Sequence, residues 1–258
     1  MSNRIKIIVP IPMDEAGVAN RASQLPAERI RDGYEVEFVA VNWGAALGDS
    51  YYDTMLMDMS VFEAGLKAEE EGYDAVCIDT VSDSGLYALR SRLSIPVFGP
   101  GQAALHAACM LGHKFSIITM WDEWFHLYKK ILTEYKLEPR CASLRSIRTR
   151  PDLEELLAGK EEVIFQTLEQ ESRRAIEEDG ADVIVLGSTT MHQSHAYLEQ
   201  VLPVPVINPG QICYKFCEVF LQLGLTRSKT AFPSPEMSHD DGRFTRLVVY
   251  MSGENPLV

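Results

Sequence analysis

The chain has 258 residues, enough to bury a sizeable core as one large domain or two ordinary ones. Its 37 acidic residues against 24 basic ones give a formal charge of -13, which excludes the clustered Lys and Arg that a phosphate backbone rewards, so no nucleic acid is expected. No apolar run approaches bilayer length and Met1 to Pro10 reads as a strand, not a signal peptide; five cysteines in apolar or helical stretches predict reduced core thiols in the cytoplasm and no membrane partner.

Arg4 to Val9 is a β-branched run that turns at Pro10-Ile-Pro12. A helical stretch from Asp14 to about Arg31 is stopped by Gly33, and Tyr34 to Val41 alternates as a strand should. The polar loop Asn42 to Tyr52 precedes a helix expected over Asp53 to Glu71. A strand then ends at Thr80, and the turn Val81-Ser-Asp-Ser-Gly85 caps a helix from Leu86 to Leu93. Ile95 to Phe98 reads as a strand with its helix at Gln102 to Leu111, and Lys114 to Thr119 as the next, leading through Trp121 into a helix to about Tyr135. Arg145 to Arg150 reads as a basic loop, followed by acidic helices on either side of Gly159, from about Pro151 to Glu178. A strand ending at Ser188, a helix to about Val201, a strand at Val204 to Ile207 and a helix from Gln211 to Leu223 complete the alternation. The tail is Pro-rich at Phe232 to Pro235 and carries a last strand at Phe244 to Tyr250.

One stretch occurs twice. Glu71 to Thr80 and Asp179 to Ser188 share an acidic helix end, a glycine, an Asp and an apolar run closed by a hydroxyl residue. Gly72, Asp74 and Thr80 recur at the same spacing as Gly180, Asp182 and Ser188. A second matched pair follows, Ile95-Pro-Val-Phe-Gly-Pro-Gly-Gln102 against Val204-Pro-Val-Ile-Asn-Pro-Gly-Gln211. The halves read as a duplicated α/β unit with parallel sheets between helices. Ligands of such sheets bind beyond the C-terminal strand ends, where Thr80 and Ser188 stand, one in each half.

Tyr51-Tyr52-Asp53, Ser82-Asp83-Ser84-Gly85-Leu86, Ile95-Pro-Val-Phe-Gly99 and Gly224-Leu-Thr-Arg-Ser-Lys229 with Pro233, spread along nearly the full chain, carry a resemblance. The sequence resembles the aspartate/glutamate/hydantoin racemase superfamily, most closely its hydantoin and allantoin racemase branch. The resemblance implies two Rossmann-like lobes related by a pseudo-twofold axis with the active site in the cleft between them, no cofactor, and a homo-oligomer of two or more copies. The lobes are expected to comprise residues 1–112 plus 213–258, and 113–212. The resemblance also implies one catalytic cysteine from each lobe on opposite faces of an acidic carbon. Those two positions hold Thr80 and Ser188, and Cys77 lies on the other strand face. An unassisted hydroxyl is too weak a base for ordinary two-thiol racemisation.

Three readings follow. In the first, an isomerase or lyase acts on a small carboxylate, hydantoin or amide. Backbone N–H groups at Val81-Ser82 and Thr189-Thr190 stabilise an enediolate, and His192 or Asp14 moves the proton. Pro12, Tyr51, Asp83 and Trp121 join these as candidate substrate contacts. In the second, Ser188 or Thr80 is the nucleophile of a hydrolase, with His192 as base and Asp83 or Asp14 as orienter. In the third, the chain binds a small ligand without chemistry. Against all three stands the plain role of Thr80 and Ser188 as helix caps. His192 and His195 lack a third ligand at matching spacing, so no metal is expected. Trp121, Trp124 and Phe125 belong either to the core or to the cleft wall.

Overall fold

The computed structural model describes residues 2–151 and 164–236. The strand expected at Phe244 to Tyr250 lies outside the described residues, as do residues 152–163 of the helical segment expected around Gly159. Among those described, eight strands alternate with eight α-helices: β1 (Asn3–Val9), α1 (Glu15–Ala22), β2 (Tyr34–Ala40), α2 (Tyr51–Gly65), β3 (Ala75–Ile78), α3 (Leu86–Arg92), β4 (Val97–Phe98), α4 (Pro100–Leu111), β5 (Phe115–Thr119), α5 (Phe125–Tyr135), β6 (Cys141–Ser146), α6 (Phe165–Glu177), β7 (Val183–Leu186), α7 (His192–Val201), β8 (Val206–Ile207) and α8 (Pro209–Gln222). They form two four-stranded parallel sheets of the same order, β2-β1-β3-β4 and β6-β5-β7-β8. The fold is α/β with two lobes.

The duplicated residues do the same work in each lobe. Gly72 and Gly180 take left-handed backbone, at φ 81 and 76, where an L side chain is strained. Asp74 accepts a hydrogen bond from the Arg4 N–H, and Asp182 from the N–H groups of His113 and Lys114, so each carboxylate fastens the start of the neighbouring strand. The Val76 N–H donates to the Pro96 carbonyl and the Ile184 N–H to that of Pro205, which sets the same register for β4 and β8. The repeat is thus a repeat of hydrogen bonds as well as of letters.

The helix that follows each sheet packs on the other lobe. Ala104, Leu105, Ala107 and Ala108 of α4 are buried with Phe115, Ile117, Val183 and Val185 of the second sheet. Cys213, Tyr214 and Cys217 of α8 are buried with Ile5, Ile7, Ala75 and Cys77 of the first. Helix α4, which a boundary at residue 112 assigns to the first lobe, therefore completes the core of the second. This exchange ties the lobes together, because one face of each sheet is covered by the helix that follows the other, while the second face is covered by helices of its own lobe.

Three local readings change. Helix α1 ends at Ala22, well before Arg31, because Pro26 cannot continue it and a 3-10 turn at Ala27–Arg29 follows. Helix α2 starts earlier and stops sooner than expected: the Ser50 hydroxyl accepts from the Asp53 N–H as its cap, and helical hydrogen bonding gives way to turns after Gly65. The expected basic loop is partly the edge strand β6, whose Arg145 is held by Asp179, Glu178 and Glu171. An edge strand buries little, so its sequence lacks an apolar alternation.

Candidate active site between the lobes

Thr80 follows β3 and Ser188 follows β7, and both border one cavity of about 90 Å³ between the sheets. The Thr80 hydroxyl lies 3.0 Å from that of Ser82, which lies 2.9 Å from that of Ser84. The Ser188 hydroxyl lies 2.7 Å from that of Thr190 and accepts from the Thr190 N–H. Each lobe therefore presents a hydroxyl at its strand end, bonded to a second hydroxyl two residues on.

Val81, Ser82, Thr189 and Thr190 border the same cavity as Thr80 and Ser188. Ile11, Met13, Leu47, Met57, Trp124 and Leu127 give the lining an apolar part. Trp124 is fixed there by its indole N–H, which donates to the Leu47 carbonyl at 2.8 Å. Tyr128 is spent on structure: its hydroxyl donates to the Gly187 carbonyl at 2.7 Å, and burial pushes its pKa well up.

Six candidates from the sequence stand elsewhere. Pro12 is exposed and outside the lining. Asp14 is the N-cap of α1, accepting from the Gly17 N–H at 2.8 Å, so its carboxylate serves the helix. Tyr51 is 80% exposed on the first turn of α2, edge-on to His126. Trp121 is outside the lining, its ring edge-on to Trp124. His192 opens α7 with its Nδ1 3.3 Å from the Thr190 carbonyl, outside the cavity lining. Asp83 is buried and turned away from the cavity, accepting from the N–H groups of Gly101 and Gln102 and from the Tyr135 hydroxyl.

The contact between that turn and α4 is tight. A methyl group on Gly101 would run into the Val81 carbonyl oxygen and the Asp83 carboxylate. Gly101→Ala is expected to lower stability by about 2 kcal/mol, read by thermal melting, and to displace Val81 from the cavity.

Two ionisable residues of the lining were not foreseen. Asp79, 2% exposed, directly precedes Thr80, and Arg21 of α1, 7% exposed, lies against it. The Arg21 Nε and Nη2 donate to Asp79 Oδ2 at 3.0 and 2.5 Å, and Nη2 also donates to the Thr189 hydroxyl at 2.9 Å. Thr189 in turn donates to the Asp79 carbonyl at 3.1 Å, so the pair ties the lobes together at the cavity. The available signal was an acid closing an apolar run, in Val-Cys-Ile-Asp79; Arg21 gave none, because its partner is remote in sequence.

No cysteine borders the cavity. Cys77, Cys213 and Cys217 lie in the first lobe's core, where burial raises all three thiol pKa values, Cys213 to about 11. Among the described residues no three His, Cys, Asp or Glu side chains converge as a metal-binding group. Nor is any helix among them long and apolar enough to cross a membrane.

The two parallel-sheet lobes agree with the fold of the chain's structural relatives. A family model described as Asp/Glu/Hydantoin racemase matches residues 18–217, most of the sequence. The chain belongs to the Asp/Glu/hydantoin racemase family. A hydantoin racemase of Pseudomonas sp. (strain NS671) is 34% identical over 199 residues, covering 77% of this chain and 79% of that one. One from Paenarthrobacter aurescens is 26% identical over 227 residues, covering 87% and 94%. Among solved structures, allantoin racemase from Klebsiella pneumoniae superposes with a TM-score of 0.83 at 28% identity, over 99% of this chain and 100% of that one. Arylmalonate decarboxylase, at 20% identity and a TM-score of 0.58 over 86% and 94%, shares the fold. This member of the racemase family is an enzyme of the isomerase class.

Proposed function

We propose that this enzyme takes a small cyclic ureide or imide of the hydantoin type, with an apolar substituent on the ring carbon, and stabilises the enolate formed beside the carbonyl. The observation that carries the reading is the matched pair of hydroxyl dyads, Thr80 with Ser82 and Ser188 with Thr190, on one cavity of about 90 Å³. Hydroxyls and strand-end N–H groups are neutral donors suited to a carbonyl oxygen that gains charge. The wall of Trp124, Leu127 and Met57 suits an apolar substituent. Charge balance favours a neutral head over a dianion, since the Arg21 charge is already matched by Asp79. A chemical precedent among the relatives above is the hydantoin racemase at 34% identity.

By family resemblance, Thr80 and Ser188 occupy the strand ends where a two-thiol racemase carries its cysteines. A thiol has a reference pKa of about 8.5, whereas a hydroxyl is not ionised at neutral pH, so exchange of a proton on one face replaces transfer between two faces in this reading. Hydrolysis is less well supported, because His192, the base it would need, is not among the residues that line the cavity with Ser188.

The test is an enantiopure benzyl-substituted hydantoin in heavy water, followed by proton NMR and chiral chromatography. The expected result is catalysed loss of the ring C–H signal that outruns loss of optical purity. Exchange no faster than in buffer alone would count against the reading.

A further inference from the structure

We infer that Arg21 and Asp79 form the proton-transfer unit of this site: Asp79 takes the proton from the substrate's ring carbon, and Arg21 holds the enolate oxygen through Nη1. This rests on the reading of the cavity as a site for hydantoin-type carbon acids.

Among the described lining residues Asp79 is the one carboxylate and Arg21 the one cation. Asp79 Oδ2 receives both guanidinium bonds, whereas Oδ1 meets only the Gln24 Nε2, at 3.1 Å. A carboxylate oxygen accepts more than one hydrogen bond, so Oδ1 has a lone pair left for a proton. Arg21 is held by Asp79 Oδ2, the Asp79 carbonyl and the Thr189 hydroxyl, all through Nε and Nη2. Its Nη1 makes no hydrogen bond among the described residues and is not sealed from solvent, and the space Arg21 borders is the cavity. A guanidinium needed only for packing would have no reason to keep an open N–H edge there.

The electrostatics of the step favour this assignment. The ring C–H bond breaks and an O–H bond forms on Asp79; the released pair enters the ring C–C bond, and the carbonyl π pair moves to oxygen. Asp79 loses its negative charge as the enolate oxygen gains one, and both lie beside the same guanidinium. The cavity's net charge is unchanged throughout, so a buried site pays no new Born penalty. Return of the proton to the same face, after exchange on Asp79 with solvent, gives isotope exchange with retention. Thr189 reaches Arg21 from the second lobe, so the orientation of Nη1 depends on both lobes being in register.

The experiment compares wild type with the double variant Arg21→Gln/Asp79→Asn, which removes both charges and leaves no unpaired one. The assay is the heavy-water exchange of benzylhydantoin; binding is read separately by the thermal shift with dimethylhydantoin, whose ring carbon bears no hydrogen. The double variant is expected to melt cooperatively and respond to dimethylhydantoin while exchange falls by about a hundredfold or more. Exchange within about threefold of wild type would overturn the inference and leave the proposed function standing. A wild-type chain that exchanges no faster than buffer would overturn the proposed function, and the inference with it. If the double variant does not fold, Asp79→Glu keeps the charge pair but displaces the carboxylate by one methylene. Its exchange is expected to fall by about tenfold or more at near-native melting temperature, and unchanged exchange in that variant overturns the inference equally.

Discussion

The double variant Thr80→Cys/Ser188→Cys is expected to racemise an enantiopure benzylhydantoin about a hundredfold faster than the wild-type chain, or more, since a positioned acid–base group contributes that much to proton transfer. Both positions are strand ends, one from each lobe, on one cavity, so the two sulfurs would approach a bound ring from different sheets. Each substitution changes little in volume: Ser188 exchanges oxygen for sulfur and Thr80 loses a methyl group as it does so. Neighbouring hydroxyls at Ser82 and Thr190 and the strand-end N–H groups remain as donors to a thiolate, and a thiolate is both more abundant and more nucleophilic than an alkoxide near neutrality. Either single variant is expected to accelerate isotope exchange on one face and leave racemisation slow. Polarimetry with NMR in heavy water separates the two rates. A folded, ligand-binding double variant that exchanges but does not invert would mean that the two strand ends do not flank the same carbon.

Replacing Asp83 is expected to cost the most stability of any single change at the lobe junction. Its carboxylate accepts from the N–H groups of Gly101 and Gln102 at the start of α4, at 2.8 and 2.7 Å, and from the Tyr135 hydroxyl of α5 at 2.6 Å. Its own φ of 53 places it in the left-handed region, which Asp tolerates better than most side chains. Asp83→Ala leaves three donors without an acceptor, and is expected to lower stability by about 4 kcal/mol, or roughly 10 °C in melting temperature. Asp83→Asn keeps one acceptor but turns an amide N–H toward a donor, so its effect is smaller and carries a pH signature. Burial outweighs the three donors and raises the Asp83 pKa to about 6 from an ordinary value of 3.8. A raised folded-state pKa means that the folded protein holds the proton more tightly. The stability this contributes is fully present below the ordinary carboxylate pKa and lost as pH rises through about 6. The stability gap between wild type and Asp83→Asn should therefore widen by about 2 kcal/mol from pH 7 down to pH 4. Denaturant melts at the two pH values measure it, and a gap that narrows would contradict a raised pKa.

Asp83 also illustrates how far a turn can be read. Ser82-Asp83-Ser84-Gly85 marks a turn beside a strand end, and a polar turn there invites a ligand contact. Which of its side chains face the cavity depends on backbone that no local pattern specifies. Ser82 turns toward the cavity and Asp83 toward α4, because the N-terminus of α4 arrives there with two unpaired N–H groups. Asp14 was drawn away from the site by the same kind of demand at the start of α1.

The duplication was legible because it is written in short-range chemistry. A glycine with left-handed backbone, an Asp that fastens a strand start and an apolar run ending on a hydroxyl each need particular residue types within a few positions, so they persist as a readable pattern at Gly72 to Thr80 and Gly180 to Ser188. That pattern by itself determined the alternating α/β class, the two halves and the placing of both hydroxyls at strand ends. Only the tertiary structure decided that α4 completes the second lobe's core, that the two hydroxyl dyads share one cavity, and that Arg21 meets Asp79 and Thr189 there. Those contacts join residues far apart in the chain, and an ion pair between remote positions leaves no periodicity or spacing in the sequence. Its existence follows from where the packed cores put the two charges.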